Sequence, residues 1–358
     1  MTKSIGATKH FQLARTLRDE LRTMRAGEPV HTVQQLKDRF NVSQATVTRA
    51  LDRLKGEGLI HRPAGRSRFV VNELGPRALC RVAIIRPTWP SPDYDAIVRG
   101  LIELGEGRGW AFETFAVQGS LEDLDLNRAI GTNDAAVLLS INDRMPEHLL
   151  RALRKPRKPV VVVRDIPREM PGDAVSVDDE LVGFLATDHL LSRGHRRILA
   201  VVSEPTSRSN TERVTGWRRA MAEAGHAKAA ERLLFQSPVS PSQDSIEVTF
   251  KSFSRFLKQA PPAFTGVFCA DWTGALAVSR AIREVLGKTI PDDISLVSFA
   301  GESMLLPYLN PPMSAVEIEI ERFAKAALDL VERRLDDPSA EAQHLRITPF
   351  FVERQSVK

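Results

Sequence analysis

Cysteine is nearly absent from this chain, with only Cys80 and Cys269 in 358 residues. Both stand in apolar, strand-like contexts, which reads as two buried hydrophobes rather than a disulfide or metal site and suits a reducing compartment. The N-terminus lacks the apolar core of a secretory leader, and no apolar run approaches the ~18 residues of a membrane span. Nor is there a basic amphipathic helix with an exposed aromatic face, as a membrane-surface role would need. A soluble, cytoplasmic chain without membrane contact is expected. Catalytic signatures are missing too. No Gly-x-Ser-x-Gly elbow and no Gly-rich phosphate loop occurs, and His189 and His195 lack the i, i+3 or i, i+4 spacing of a helical metal pair. No metal, no cofactor and no enzymatic activity is expected; a catalytic second domain is kept as an alternative.

What is present is an ordinary globular composition, 42% hydrophobic and 27% charged, long enough for two or three domains with their own cores. The charge is unevenly placed. Residues 1–75 carry fourteen Lys and Arg against seven Asp and Glu, a net of +7, whereas the whole chain is +5 and the remainder therefore −2. A basic module attached to a balanced one suits phosphate neutralisation, because each phosphate contact releases counterions.

Within the basic module, apolar residues recur over His10 to Met24 at Phe11, Leu13, Ala14, Leu17, Leu21 and Met24, and a second helix over Val33 to Phe40 turns Leu36 and Phe40 inward. Ser43 is placed to cap a third helix whose Val47, Ala50, Leu51 and Leu54 share one face. Gln44, Ala45, Thr46, Thr48, Arg49 and Arg53 are left for another surface, and small or hydrogen-bonding residues near a helix N-terminus are what major-groove reading requires. Gly58 ends that helix. Leu59 to Arg62 and Arg68 to Val71 then alternate as two strands around Pro63-Ala64-Gly65-Arg66-Ser67, and Arg62, Arg66 and Arg68 make the hairpin a cationic wing.

Val42-Ser43, Thr46-Val47, Ala50-Leu51, Leu54, Glu57-Gly58-Leu59-Ile60, Arg62, Gly65 and Phe69-Val70 together resemble the GntR family's winged helix-turn-helix. Two positions depart from that pattern: Thr48 stands where the family usually has Arg, and Ser67-Arg68 replaces a usual Gly-Thr. The resemblance implies a double-stranded operator as partner, with Ser43, Gln44, Ala45, Thr46, Thr48, Arg49, Arg53, Arg62, Arg66 and Arg68 as candidate contacts.

After a short linker at 73–80 that contains Gly75-Pro76, the chain changes character. Apolar runs at 81–85, 135–139, 159–163, 198–202, 266–269 and 294–297 alternate with amphipathic segments of helical length, which predicts parallel sheets covered on both faces and ligands at the carboxyl ends of strands. The stretch Ala186 to Ile198, with Arg99-Gly100, Val177-Asp178, Arg213 and Gly216-Trp217, Ile290 to Ser295, Pro311-Pro312 and Glu353 to Ser356 in order, resembles the LacI-type effector domain. The combination is similar to the arabinose-repressor group of bacterial transcription regulators. The fold class this implies is α/β: an N-terminal winged helix-turn-helix over 1–72, and a two-lobed, doubly wound parallel-sheet effector domain over 81–358, periplasmic-binding-protein-like, type I. Lobe one is expected at about 81–177 and 315–338, and lobe two at about 178–314 and 339–358, with crossings near Asp178, Ser314 and Pro338.

The same resemblance implies a small-molecule effector in the cleft, a carbohydrate in the first instance, and a homodimer acting as a repressor. Arg213 matches the family's effector-gripping arginine. Asp271 and Trp272 stand where relatives carry Asn and Asp, and Arg164-Asp165 inverts a common Asp-Arg. Trp89, Asp93 and Tyr94 belong to a Pro-rich loop after the first strand run. A strand ending that in relatives reads Gly-Phe-Asp-Asp is here Ser298-Phe299-Ala300-Gly301, so a customary aspartate is missing and Glu302 is the candidate replacement. A regulator with a vestigial pocket is the alternative that this change keeps open.

Overall fold

The computed structural model describes residues 9–358 except 22, 23, 26, 57, 64, 66, 73–79, 89, 90, 119, 120, 141–144, 168, 241, 242, 260, 262 and 302–304, and of Phe11, Arg15 and Asp19 the backbone alone. Most of the expected linker, and the candidates Arg66, Trp89 and Glu302, lie outside the described residues.

Three helices open the chain: α1 (Lys9–Leu21), α2 (Val33–Phe40) and α3 (Gln44–Gly56). A capping box starts α2, with Gln35 N donating to Thr32 Oγ1 at 3.2 Å and Thr32 N to Gln35 Oε1 at 2.8 Å. Asn41, left-handed at φ 49°, ends it and turns the chain into α3. The α3 stripe Val47, Ala50, Leu51 and Leu54 is buried against Leu13, Leu17 and Leu36. The described part of the first helix reaches Leu21, and Met24, where its apolar stripe was expected to end, packs on this core. Gly58, at φ 70°, reverses the chain into β1 (Ile60–His61), paired antiparallel with β2 (Val70–Val71). These strands are shorter than the four residues expected of each. The neighbouring backbone is held instead by the segment before α2, where Pro29 bridges Val70 and Val30 N donates to Phe69 O at 2.9 Å.

Two six-stranded sheets follow. The first holds β3 (Cys80–Pro87), β4 (Trp110–Val117), β5 (Ala135–Ser140), β6 (Val160–Arg164) and β7 (Asp173–Val177), with α4 (Pro92–Gly107), α5 (Leu126–Ile130) and α6 (Glu147–Arg154) as crossovers. The second is built from α7 (Asp179–Ser192), β8 (Ile198–Val202), α8 (Arg208–Glu223), α9 (Ala227–Ala230), β9 (Leu234–Gln236), α10 (Ser245–Lys258), β10 (Gly266–Cys269), α11 (Trp272–Leu286), β11 (Ser295–Phe299) and β12 (Ser314–Glu317). The chain then returns through α12 (Ile320–Asp336) and β13 (His344–Ile347), and ends with β14 (Phe350–Val352). Strand order is β13-β7-β6-β5-β3-β4 in lobe one, all parallel, and β14-β12-β11-β10-β8-β9 in lobe two, where only β14 is antiparallel.

Both faces of lobe one are covered, which is why its strands read as unbroken apolar runs. Val137 and Leu139 of β5 face one core, and Ala136 and Leu138 face another that is shared with Leu126 of α5 and Leu149 of α6. Two expected crossings need correction. Strand β12 pairs with β11 in lobe two, so the second crossing comes after Glu317 rather than near Ser314. The third falls between Ile347 and Phe350, not near Pro338, because β13 still pairs with β7. The turn around Pro338 reads as a break but is pinned to lobe one: Arg333 and Arg334 each donate to buried Asp173 at 2.8 Å, and Arg333 also to Glu341 O at 2.6 Å.

Candidate functional site

On the head, Gln44, Ala45, Thr48 and Arg49 are exposed along α3, opposite its buried stripe. Ser43 Oγ accepts from Thr46 N at 3.2 Å and lies 2.9 Å from Thr46 Oγ1, so both hydroxyls are engaged in starting the helix. Arg62 stacks at 4.6 Å on the Phe69 ring, and Arg62 and Arg68 are exposed beside each other's strands. His10 is held below its ordinary pKa by burial and then by Arg49 and Arg53, a sign of a cationic surface. Arg53 differs from the rest: its Nη2 lies 3.4 Å from Asp336 Oδ1 at the end of α12.

In the body, the candidate residues gather between the lobes at the carboxyl ends of the strands. Their placement begins with two glycines. A Cβ on Gly183 of α7 would lie 1.8 Å from Arg213 O, and one on Gly216 of α8 would lie 1.8 Å from Glu180 O. Only glycine lets these helices approach so closely, and the approach carries Arg213 onto Asp179. Arg213 Nε donates to Asp179 Oδ1 at 2.7 Å and Nη1 to Ala270 O at 2.7 Å, while its guanidinium sits 3.9 Å from the centre of the Phe299 ring. Both members of the pair are 4% exposed.

Arg164 and Asp165 follow β6. Arg164 adopts φ 81°, an uncommon conformation for any residue but glycine, and its side chain is 10% exposed. Its Nη2 lies 3.8 Å from Asp93 Oδ2, beyond hydrogen-bond length, and its buried Nε has no partner. Burial works against the Arg164 charge, but the carboxylates of Asp93 and Asp165 outweigh it and raise its pKa. Asp165 Oδ1 is likewise buried without a partner, and burial raises that carboxyl.

Asp93 and Tyr94 lie in the first turn of α4. Asp93 Oδ1 accepts from Gly301 N at 3.1 Å, which ties lobe one to the segment after β11 in lobe two. Tyr94 Oη donates to Ser140 O at 2.8 Å, and burial followed by Asp165 pushes its phenol up. Asp271 caps α11: its carboxylate accepts from Ser203 Oγ, from Thr273 Oγ1 at 2.6 Å and from Gly274 N at 3.0 Å. That carboxylate, expected to receive ligand hydroxyls, is thus taken up by the start of its own helix and by Ser203 after β8. Trp272 is half-buried against the main core.

Sequence reasoning passed over Asp179 as a partner of Arg213, and missed Glu204 and Phe299. Glu204 follows β8, the same strand-end position that flagged Asp271 after β10, so the signal was there. Its Oε1 accepts from Thr273 Oγ1 at 2.8 Å, and burial, then Asp271, push its carboxyl up to about 7.

Comparison with known proteins agrees with this architecture. Residues 11–70 match the model for bacterial regulatory proteins of the gntR family, and residues 187–357 match the periplasmic binding protein-like domain. The chain is 25% identical over 272 residues to the HTH-type transcriptional repressor PurR of Photobacterium profundum, covering 75% of this chain and 78% of that protein. It is 25% identical over 356 residues to the ribose operon repressor of Escherichia coli, covering 95% and 99%. Among solved structures, a LacI family transcriptional regulator from Enterococcus faecium with bound ribose superposes with a TM-score of 0.65 at 22% identity, covering 77% of this chain and 98% of that one. The complex of the transcriptional regulator CelR with cellobiose gives 0.66 at 23%, covering 88% and 91%. The chain therefore joins a gntR-family regulatory head to a periplasmic binding protein-like domain with the two-lobed fold of LacI family regulators.

Proposed function

We propose that this protein is a cytoplasmic transcription repressor whose affinity for a double-stranded operator is set by a small carbohydrate-like ligand held between its lobes. One observation carries the reading: a basic head with an exposed Gln44-Ala45-Thr48-Arg49 surface is fused to a cleft where Arg164 Nε and Asp165 Oδ1 are buried without partners. An orphaned buried polar atom costs about 1–3 kcal/mol, which a ligand supplying the partner would recover. The similar proteins named as repressors, and the similar folds solved with ribose and cellobiose, support the same assignment. The head would act as a homodimer, since reading two half-sites takes two winged helices.

A separation of functions tests it. Arg49→Ala is expected to weaken operator binding by about 1–3 kcal/mol and to leave the ligand-induced rise in melting temperature intact. Arg164→Ala is expected to do the reverse. Equal operator affinity of Arg49→Ala and the parent protein removes the recognition-helix assignment. A second reading, a regulator that senses no small molecule, is favoured by the closure of Arg213 on Asp179 and of Asp93 on Gly301 N. A ligand at 100 times its dissociation constant adds about 2.7 kcal/mol of stability, so a flat melting response to carbohydrates would decide for this reading.

A further inference from the structure

A dense run of positive charge lies outside the head, on lobe one. Arg151, Arg154, Lys155, Arg157 and Lys158 fall within eight residues, and the chain carries no Asp or Glu from His148 to Arg164. The chain beyond the basic head has a net charge of −2, so this run is a local concentration and not part of a generally basic surface. Arg151, Arg154, Lys155 and Arg157 are exposed. Arg151 has a loose surface partner in Glu147, at 3.9 Å, whereas among the described residues no carboxylate lies within ion-pair distance of Arg154, Lys155 or Arg157. The negative end of a helix dipole favours cations, which accounts for Arg151 and Arg154 in the last turn of α6. It does not account for Arg157, which lies past the helix in a turn stiffened by Pro156 and Pro159. Lys158, between the same prolines, fastens that turn to the one before β5, its Nζ donating to Gly131 O at 2.9 Å and to Asn133 O at 2.5 Å.

This fastening fixes where the run lies. Asp134, also before β5, accepts from Arg81 N at 2.8 Å, and Arg81 stands at the start of β3, where the chain arrives from the head. Strands β3, β5 and β6 are adjacent and parallel, and at about 4.8 Å per strand the start of β6 is about 10 Å from the start of β3. The basic run is therefore at the end of lobe one that is remote from the cleft and receives the head. A separate contact marks the same end, because Arg53 of α3 lies 3.4 Å from Asp336 where α12 finishes, ahead of β13. Carboxylates at this end are engaged: Glu113 accepts from Asn133 Nδ2 at 2.8 Å, and Asp173 from Arg333 and Arg334.

We propose that Arg151, Arg154, Lys155 and Arg157 form a second DNA contact, on lobe one, that grips the phosphates of duplex flanking the site read by the head. This rests on the reading that the head binds an operator. Duplex DNA carries one negative charge per about 1.7 Å of its axis, and each cation placed on a phosphate releases counterions. A turn pinned by two prolines and by Lys158 presents Arg157 with little backbone order left to lose on binding. Phosphate contacts of this kind position a protein without reading bases, so the contact adds affinity for duplex length and none for flanking sequence.

Two duplexes test this by fluorescence anisotropy with the full-length protein, both taken from an operator that the protein selects out of random sequence. One is trimmed to the bases that selection fixes, and the other is extended by about one helical turn, ~10 bp, at each end. The extended duplex is expected to bind at least ~10-fold tighter at low salt. Combining Arg154→Gln, Lys155→Gln and Arg157→Gln is expected to abolish that gain and to make the dependence of log affinity on log salt shallower by about 2–3, with trimmed-duplex affinity kept within about twofold. Arg157→Glu, outside the helix, serves the same purpose should the triple variant fail to fold. An equal gain and slope in variant and parent, or no gain from extension in the parent, would overturn the second contact and leave the operator-binding reading standing. Selection that fixes no bases overturns both.

Discussion

Arg213 and Asp179 show how far a single residue can be read from its neighbours in the chain. The Arg-x-x-Gly-Trp context marks Arg213 for the cleft, but nothing in it discloses that Asp179, 34 positions earlier, takes the guanidinium. A buried pair of this kind resists one-sided mutation, because the remaining charge is stranded away from water. Arg213→Ala is expected to lose about 3–5 kcal/mol in urea unfolding, and Arg213→Met combined with Asp179→Leu is expected to recover most of that. A loss below ~1 kcal/mol for the single variant would mean the pair is hydrated and the cleft open. Asp271 gives the opposite lesson. An Asp two residues after a strand and three before Gly274 reads equally well as a ligand acceptor or an N-cap, and the bond from Gly274 N makes it the cap while the Ser203 and Thr273 hydroxyls occupy its remaining acceptor sites. Glu204 was legible by the rule applied to Asp271, but its raised pKa comes from neighbours on other elements, which the chain order does not reveal. Titration carries a sign. A carboxyl held near 7 when folded and near its ordinary value of 4.5 when unfolded retains its proton only in the native state between those values. Stability contributed there falls as pH rises from about 4.5 through about 7, and Glu204→Gln is expected to flatten that limb of a melting-temperature profile taken without ligand.

Elements were legible where burial is symmetric. Strands β3, β5, β6, β8, β10 and β11 lie inside their sheets, so both faces are apolar and each reads as a continuous run. Edge strands β4, β9, β13 and β14 have exposed or half-exposed positions, so none of them reads as a fully buried apolar run. Strand β7 was hidden for another reason, since it opens on Asp173, a charge that Arg333 and Arg334 make tolerable inside the sheet. The approach of α7 to α8 belongs to this scale as well. Gly216→Ala places a methyl group inside the Glu180 carbonyl and must push the helices apart, moving Arg213 with them. Overpacking of this kind costs about 1–3 kcal/mol and sometimes more. Gly194→Ala is the control on strain alone, because a Cβ there meets nothing although φ is 89°. A melting temperature for Gly216→Ala equal to that of the parent protein would show that α7 and α8 do not pack as described.

For the whole molecule, the division of charge between a +7 head and a −2 remainder was legible from composition, and so was the order of the two folds. The crossings were not, because a chain break such as Pro338 signals a turn without saying which lobe keeps it. Arg53 and Asp336 join α3 of the head to α12 of lobe one, and this contact also has no local signature. It places a carboxylate beside the DNA-reading head. Asp336→Asn is expected to tighten operator binding by about two- to fivefold at low salt, the worth of a part-exposed ion pair, with the gain fading as salt is raised. The central claim is that ligand in the cleft and DNA on the head exclude or favour one another through a coupling free energy, which in such systems is about 1–3 kcal/mol, or ~5–150-fold. Fluorescence anisotropy tests it most directly, using an operator duplex selected by the protein itself and titrated with full-length protein, with and without a saturating ligand that raises the melting temperature. The account predicts an operator dissociation constant at least ~5-fold weaker with ligand than without. An unchanged dissociation constant, with the ligand demonstrably bound, would contradict it.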